Sequence, residues 1–240
     1  MKDIRTTTTA LLVAGALHAG LAGAADRRDL QAAIAADYED GLEALFQHFH
    51  ENPELSYREI ETARRMGAEL RSLRYEVNEG VGGTGVVAVM RNGAGRTVLL
   101  RADMDGLPVV EQSGLSYASR ARQVDVDGIE QPVMHACGHD VHMTALVGAA
   151  KQLAQRTNEW SGTLVLIAQP AEERAGGARA MLADGLYERF PKPEYALAFH
   201  VSSLQAARTL NVQLGAAYSR ADTVDIIVHR VGAHGAPPHK

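Results

Sequence analysis

The sequence predicts an α/β fold: a mixed, largely parallel sheet flanked by helices. Three observations carry this. Short apolar runs alternate with stretches of helical periodicity along the chain. Two of the runs, residues 97–100 and 164–168, are continuously apolar or nearly so, as strands buried on both faces are. Polar, ligand-type residues recur just after the runs, where open α/β sheets place their sites. The chain has 240 residues, 46% hydrophobic and 22% charged, enough for one or two domains with a real core. Its net charge of −5, without a basic cluster, argues against a nucleic-acid partner.

The first segment reads as a secretory signal, residues 1–25. A short charged start precedes a small, apolar stretch, and Ala22-Gly23-Ala24 fits cleavage near Ala24 or Ala25. The expected location is periplasmic or secreted, with no membrane attachment after cleavage. The single cysteine excludes an internal disulfide.

Residues 29–50 place Leu30, Ile34, Tyr38, Leu42, Leu45, Phe46 and Phe49 at helical spacing, and Pro53 ends the run. Ser56 followed by Glu59 has capping-box spacing for a second helix with Ile60, Ala63, Met66 and Leu70 on one face. The string from His50 to Ser56 reads as the corner between the two. Gly82-Gly83-Thr84-Gly85 precedes a strand rather than a helix, so it reads as a turn and not a dinucleotide loop. Strands are expected at 86–90, 97–100, 164–168 and 195–199, and helices at 143–154 and 175–183. Residues 113–132 read as a long loop. A further strand at 224–228 opens a new unit.

Four groups follow strands. Asp103 and Asp105, at i and i+2, project to one side of an extended segment, where two carboxylates repel unless a cation or a charged histidine lies between them. Cys137 and His139 sit before a helix in Cys-Gly-His-Asp-x-His, a density of soft and borderline donors suited to a metal. Glu172 and Glu173, read as extended, would face opposite ways, so that one could bind a metal and the other act as general base. His200 closes the last strand. Taken singly, each has an ordinary reading as a solvated or buried side chain; it is the four together that point to a site. A cysteine hydrolase with Cys137 as nucleophile and His139 as base is the rival chemistry.

Three strings in order then carry a resemblance: Arg101-Ala102-Asp103-Met104-Asp105-Gly106-Leu107-Pro108, Met134-His135-Ala136-Cys137-Gly138-His139-Asp140-Val141-His142, and Gln169-Pro170-Ala171-Glu172-Glu173. With the corner His50-Glu51-Asn52-Pro53-Glu54-Leu55-Ser56, they resemble the metal-dependent amidohydrolases that include hippurate hydrolase, N-acyl-amino-acid deacylases and plant auxin-conjugate hydrolases. Aminoacylase and carboxypeptidase G are related to that group. The resemblance implies a zinc-exopeptidase-like catalytic domain, an inserted α+β lid and a two-metal site. The metals implied are zinc or manganese, with cobalt and nickel as alternatives. By position, Cys137, His139, Glu173 and His200 match metal ligands. Glu172 matches the base that assists attack by a metal-bound hydroxide. Asp105 matches a carboxylate that orients a ligand, and His234 matches a lid histidine that steadies the substrate. Asp103 stands where distant relatives have a histidine ligand, and His135 and His142 are given supporting roles.

The expected substrate is a small N-acyl amino acid or peptide-like molecule, and the expected partner a second copy joined through the lid. The implied domains are residues 26–214, the N-terminal part of the catalytic domain, and 215–240, the start of the lid. Arg230 departs from the lid pattern, which has glycine there. The family's closing histidine has no counterpart before Lys240, so the chain is expected to be a C-terminally truncated representative. It could hold one metal only, and an inactive metal-binding remnant is the alternative to an enzyme.

Overall fold

A computed structural model describes residues 28–212 and Gly215. The chain divides between Val201 and Ser202. In the first unit, seven strands are described: β1 (Glu76–Val81), β2 (Gly85–Asn92), β3 (Thr97–Asp103), β4 (Arg122–Val124), β5 (Glu130–Pro132), β6 (Gly162–Gln169) and β7 (Tyr195–Ala198). The helices are α1 (residues 28–37), α2 (Glu43–Glu51), α3 (Ile60–Ser72), α4 (His139–Gln155), α5 (Gly177–Ala183) and α6 (Leu186–Arg189). None of the described helices is long and apolar enough to cross a membrane.

The main sheet has the order β1-β2-β6-β3-β7. β3 runs parallel to β6 and β7, and β2 runs antiparallel to both β1 and β6. β2 alone is therefore reversed, which makes the sheet mixed and largely parallel as expected. The strand side chains divide by parity, as period-two geometry requires. Val86, Ala88, Leu164, Leu166 and Ala168 face α2, α3 and α4 through Phe49, Met66, Leu70, Met143 and Val147. Val87, Val89, Val165 and Ile167 face α5 and α6 through Met181 and Leu186. Burial on both faces explains why β2 and β6 read as continuous apolar runs rather than alternating ones.

Several expectations need correction. Helical periodicity across 29–50 is interrupted by a wider turn, Tyr38–Leu42, whose Gly41 takes an extended φ of 175°. Leu30, Ile34, Tyr38, Leu42 and Phe46 do not enter the main core as a set; they line a cavity of about 810 Å³ against α4. The Ser56 and Glu59 capping box does not form: α3 has no side-chain cap, and both side chains turn inward to other partners. Ile60 is 63% exposed, so only Ala63, Met66 and Leu70 of its expected face are buried. Residues 113–132 are not all loop, since β4 and β5 pair there as a hairpin. That hairpin was illegible because its strands are three residues long and polar. β1 also escaped, being mostly exposed and carrying two glutamates and a glycine.

In the second unit, the described residues after Ser202 form turns closed by hydrogen bonds from Gln205 N–H to the Ser202 carbonyl and from Thr209 N–H to that of Ala206. The expected strand at 224–228, Arg230 and His234 lie outside the described residues.

Candidate metal centre

β3, β6 and β7 run in the same direction, so their carboxyl ends lie side by side and the residues just beyond them share one end of the sheet. Asp103 ends β3 and Asp105 follows it, Glu172 and Glu173 follow β6, and His200 follows β7. The amino end of α4 brings Cys137 and His139 to the same place. Gly138, at φ 85°, separates these two. In a continuous helix, residues two apart point about 200° away from each other; the left-handed glycine breaks that geometry and lets both side chains serve one centre. A Cβ at Gly138 would also strike the Val201 side chain, so the close approach requires glycine.

His139 is fully buried at the middle of the cluster. Its Nδ1 lies 2.8 Å from the Asp105 carbonyl oxygen. A carbonyl can only accept, so the proton sits on Nδ1 and the Nε2 lone pair is left free. That Nε2 is buried with no hydrogen-bond partner. It lies 3.8 Å from Glu172 Oε2, 3.8 Å from Glu173 Oε1 and 3.5 Å from Asp103 Oδ2. Glu173 Oε1 is likewise buried and unpartnered. His200 repeats the pattern: Nδ1 donates to the Val201 carbonyl at 2.6 Å, and Nε2 faces the Cys137 sulfur at 3.3 Å. Two imidazoles thus offer Nε2, and a thiol and two carboxylates complete the donors. Cys137, His139 and His200 have donor atoms within 4.8 Å of one another, as do His139, Glu172 and Glu173. Mixed N, S and O donors of this kind suit a borderline divalent cation such as zinc. Buried, unpaired acceptors cost free energy unless something occupies the space between them, so these residues fit a metal.

The electrostatics agree. Burial, then Glu173 and Glu172, push the Cys137 thiol up to about 12. A thiol so held is a poor nucleophile at neutral pH, whereas a coordinated thiol is deprotonated outright. Its sulfur also has its hydrogen bond with His200, whereas the rival makes His139 its base. Both facts count against the cysteine-hydrolase rival. Burial opposes a charge on His139, but Asp105, Asp103 and Glu173 outweigh it and raise its pKa. Burial likewise raises Glu173. The carboxylates that favour a charge on His139 would favour a divalent cation beside it in the same way.

Asp105 organises the centre. Its Oδ2 accepts from Ser56 Oγ at 2.6 Å and from Glu173 N–H at 3.0 Å, and its Oδ1 accepts from Glu172 N–H at 3.1 Å. Burial would raise its pKa, but His139, Ser56 and the Glu173 amide hold it low. Glu172 and Glu173 are therefore not extended, as their alternation had suggested. They form a turn pinned at both amides by one carboxylate, and both side chains approach His139. The turn departs from Ala171 at φ 45°. The Ala171 N–H donates to Glu59 Oε1 at 2.7 Å, and Thr84 Oγ1 donates to Glu59 Oε2 at 2.6 Å. Ser56 and Glu59 are thus working parts of the site, hidden because their spacing imitates a helix cap.

Asp103 is fully buried. Arg101 Nη1 donates to its Oδ2 at 2.7 Å, and its Oδ1 lies 2.6 Å from His142 Nδ1. Burial would raise its pKa, but His142, His139 and Arg101 hold it at about 2. His142 Nε2 accepts from Val201 N–H at 3.0 Å. Behind the centre, His50 bridges Asp140 at 2.7 Å and Glu111 at 2.9 Å, a trio the sequence did not disclose. His135 is buried, neither ring nitrogen has a partner, and burial lowers it to about 4. All the named site residues among those described converge; His234 lies outside them.

Comparison with known proteins follows the same lines. Residues 99–238 match the family described as Peptidase family M20/M25/M40. A hippurate hydrolase of Campylobacter jejuni is 40% identical over 205 residues, covering 85% of this chain and 50% of the relative. An IAA-amino acid hydrolase of Arabidopsis thaliana is 34% identical over 209 residues, covering 87% and 45%. The chain spans about half the length of the curated relatives it matches. Among solved structures, a dinuclear metal-binding peptidase of the M20 family from Bacillus subtilis superposes with a TM-score of 0.61 at 34% identity, covering 70% of this chain and 44% of the other. The chain belongs to the Peptidase family M20/M25/M40, and the resemblance read from its motifs is borne out.

Proposed function

We propose that this member of the M20/M25/M40 peptidase family hydrolyses the amide bond of N-acyl amino acids or related small conjugates. One observation carries the reading. The unpartnered Nε2 of His139, the Nε2 of His200 against the Cys137 thiol, and a pair of carboxylates meet beyond the carboxyl ends of parallel strands. The names of the relatives, a hippurate hydrolase and an IAA-amino acid hydrolase, support an acylated amino acid as substrate.

Cys137, His139, Glu173 and His200 would hold divalent metal, one ion or two, with zinc or manganese favoured. Metal held there supplies Lewis acidity, which makes water acidic and draws charge from a carbonyl oxygen. Glu172 is the proton carrier. Its side chain is 39% exposed against 19% for Glu173, so it is the carboxylate open to incoming water. Its Oε2 takes the proton as water adds to the carbonyl carbon and gives it to the nitrogen as the C–N bond breaks. Asp105 keeps that carboxylate aimed through the Glu172 and Glu173 amides. His234, on a lid beginning near residue 215, would steady the carbonyl, and the lid would join two copies. Residues 1–25 would direct export to the periplasm or medium.

The test uses the 240-residue chain, with metal content and turnover of N-acyl amino acids measured together. Glu172→Ala is expected to keep its metal and lose about 10²–10⁴-fold in turnover, and a chelator is expected to abolish it. Retained turnover in Glu172→Ala would overturn the assignment. Metal uptake without turnover in the parent chain would favour the inactive metal-binding protein instead.

A further inference from the structure

Two histidines compete for a place beside His139. Donor atoms of Cys137, His139 and His200 lie close enough for a shared cation, and so do those of Asp103, His139 and His142. Distance does not choose between them, but hydrogen bonding does. His200 keeps Nε2 for the centre. His142 has both nitrogens engaged: Nδ1 against Asp103 Oδ1 at 2.6 Å, and Nε2 receiving the Val201 N–H at 3.0 Å. A neutral imidazole has one donor and one acceptor, and both are used.

We propose that His142 is a positioning residue that holds the His200 ligand in place by tying Val201 to Asp103, and is not itself a ligand. Val201 is the next residue after His200, so anchoring its amide fixes the chain where the His200 ring departs. The ring of His142 also meets His200 edge-on, with centroids 4.6 Å apart, and Phe199 at 5.1 Å. The need for an anchor is plain from β7, which is four residues long with every residue exposed. Its other restraints are the pairing with β3 that stops at Ala198, the contact of His200 Nε2 with the Cys137 sulfur, and the Val201 side chain lying in the space a Gly138 Cβ would fill. Asp103, in turn, is fixed by Arg101 and by its place at the end of β3. The path runs from the end of β3 through Asp103 and His142 to the exposed segment after β7 that carries His200.

This rests on the ligand assignment above, and the test separates the two. Co²⁺ binding to the full 240-residue chain is measured by titration calorimetry and by the visible spectrum of the bound ion. The proteins are the parent, His142→Ala, His200→Ala and the double variant. His142→Ala is expected to weaken binding about 10–100-fold, as loss of a ligand's supporting partner does. The double variant is expected to bind no more weakly than His200→Ala alone, because His142 acts through His200. If His142→Ala adds its full factor on top of His200→Ala, or binds Co²⁺ as the parent does, the proposal is wrong. Should His142→Ala not fold, His142→Gln takes its place in the cycle. Its amide oxygen can accept from Val201, so it is expected to recover most of the affinity; recovery of none would count against the proposal. A parent chain that takes up no Co²⁺ overturns the ligand assignment and this proposal with it.

Discussion

The two sides of the centre are built differently. On the β3 side, Asp103, Asp105 and His139 are fully buried, and the two carboxylates each have several fixed partners. On the β7 side, His200 is exposed, and so is the strand leading to it. The first side is rigid because its donors and acceptors are already satisfied by residues drawn from β3, the α2–α3 corner and the β6 turn. The second is held by its pairing with β3, by the His142 contact with the Val201 amide and by the contact of His200 with the Cys137 sulfur. Burial and partner number thus separate Asp103 and Asp105, which hold the frame, from His200, which completes the site; His139 is both buried and a donor. The first should respond to substitution in stability and the second in metal binding.

The largest difference should come from Asp105. Asp105→Ala removes the acceptor for the buried Ser56 hydroxyl and for the half-buried Glu172 and Glu173 amides. We expect about 3–5 kcal/mol lost in urea unfolding, as when one member of a buried ionic network is removed. A loss under ~1 kcal/mol would mean that the turn is held by something else.

Asp103 gives a pH signature on the same side. Its folded pKa is lowered from 3.8 to about 2, so its contribution is present above the unfolded value and disappears as pH falls through the folded one. Between pH 4 and pH 2 the parent should lose about 2 kcal/mol that Asp103→Asn does not lose. Parallel stability curves for the two proteins over that window would refute this.

The smallest effect on stability belongs to the open side. His200→Ala deletes an exposed ring and should change stability by no more than about 0.5 kcal/mol. The same variant should bind metal more weakly. A His200→Ala protein that is both less stable by several kcal/mol and unchanged in metal affinity would erase the contrast between the two sides.

Parts of this were open to reading before any fold was known. The carboxylates at the ends of β3 and β6 and His200 after β7 stand at the ends of apolar runs, and Cys137 and His139 stand at the start of a helix. Sheet burial writes the runs of β3 and β6 plainly into the sequence. Ser56 and Glu59 were misread because a serine three residues before a glutamate serves a helix cap equally well. The 122–132 hairpin was missed because its short polar strands are held by local pairing and by Gln123, whose Oε1 receives the Leu55 N–H at 2.6 Å. The turn at Glu172 was misread because its shape depends on Ala171 at positive φ, which alanine does not advertise.

By itself, the sequence determined the layered α/β class, the donor types and which stretches carry them, since hydrophobic period and residue chemistry are local properties. Only the tertiary structure decided which nitrogen each histidine offers, that Asp105 pins both glutamate amides, and that His142 spends both of its nitrogens away from the centre. Apart from the His200 contact with the neighbouring Val201 carbonyl, those outcomes depend on hydrogen bonds between residues 34 to 68 positions apart in the chain. No local pattern encodes them, because the partners meet only when β3, β6, β7 and α4 have packed.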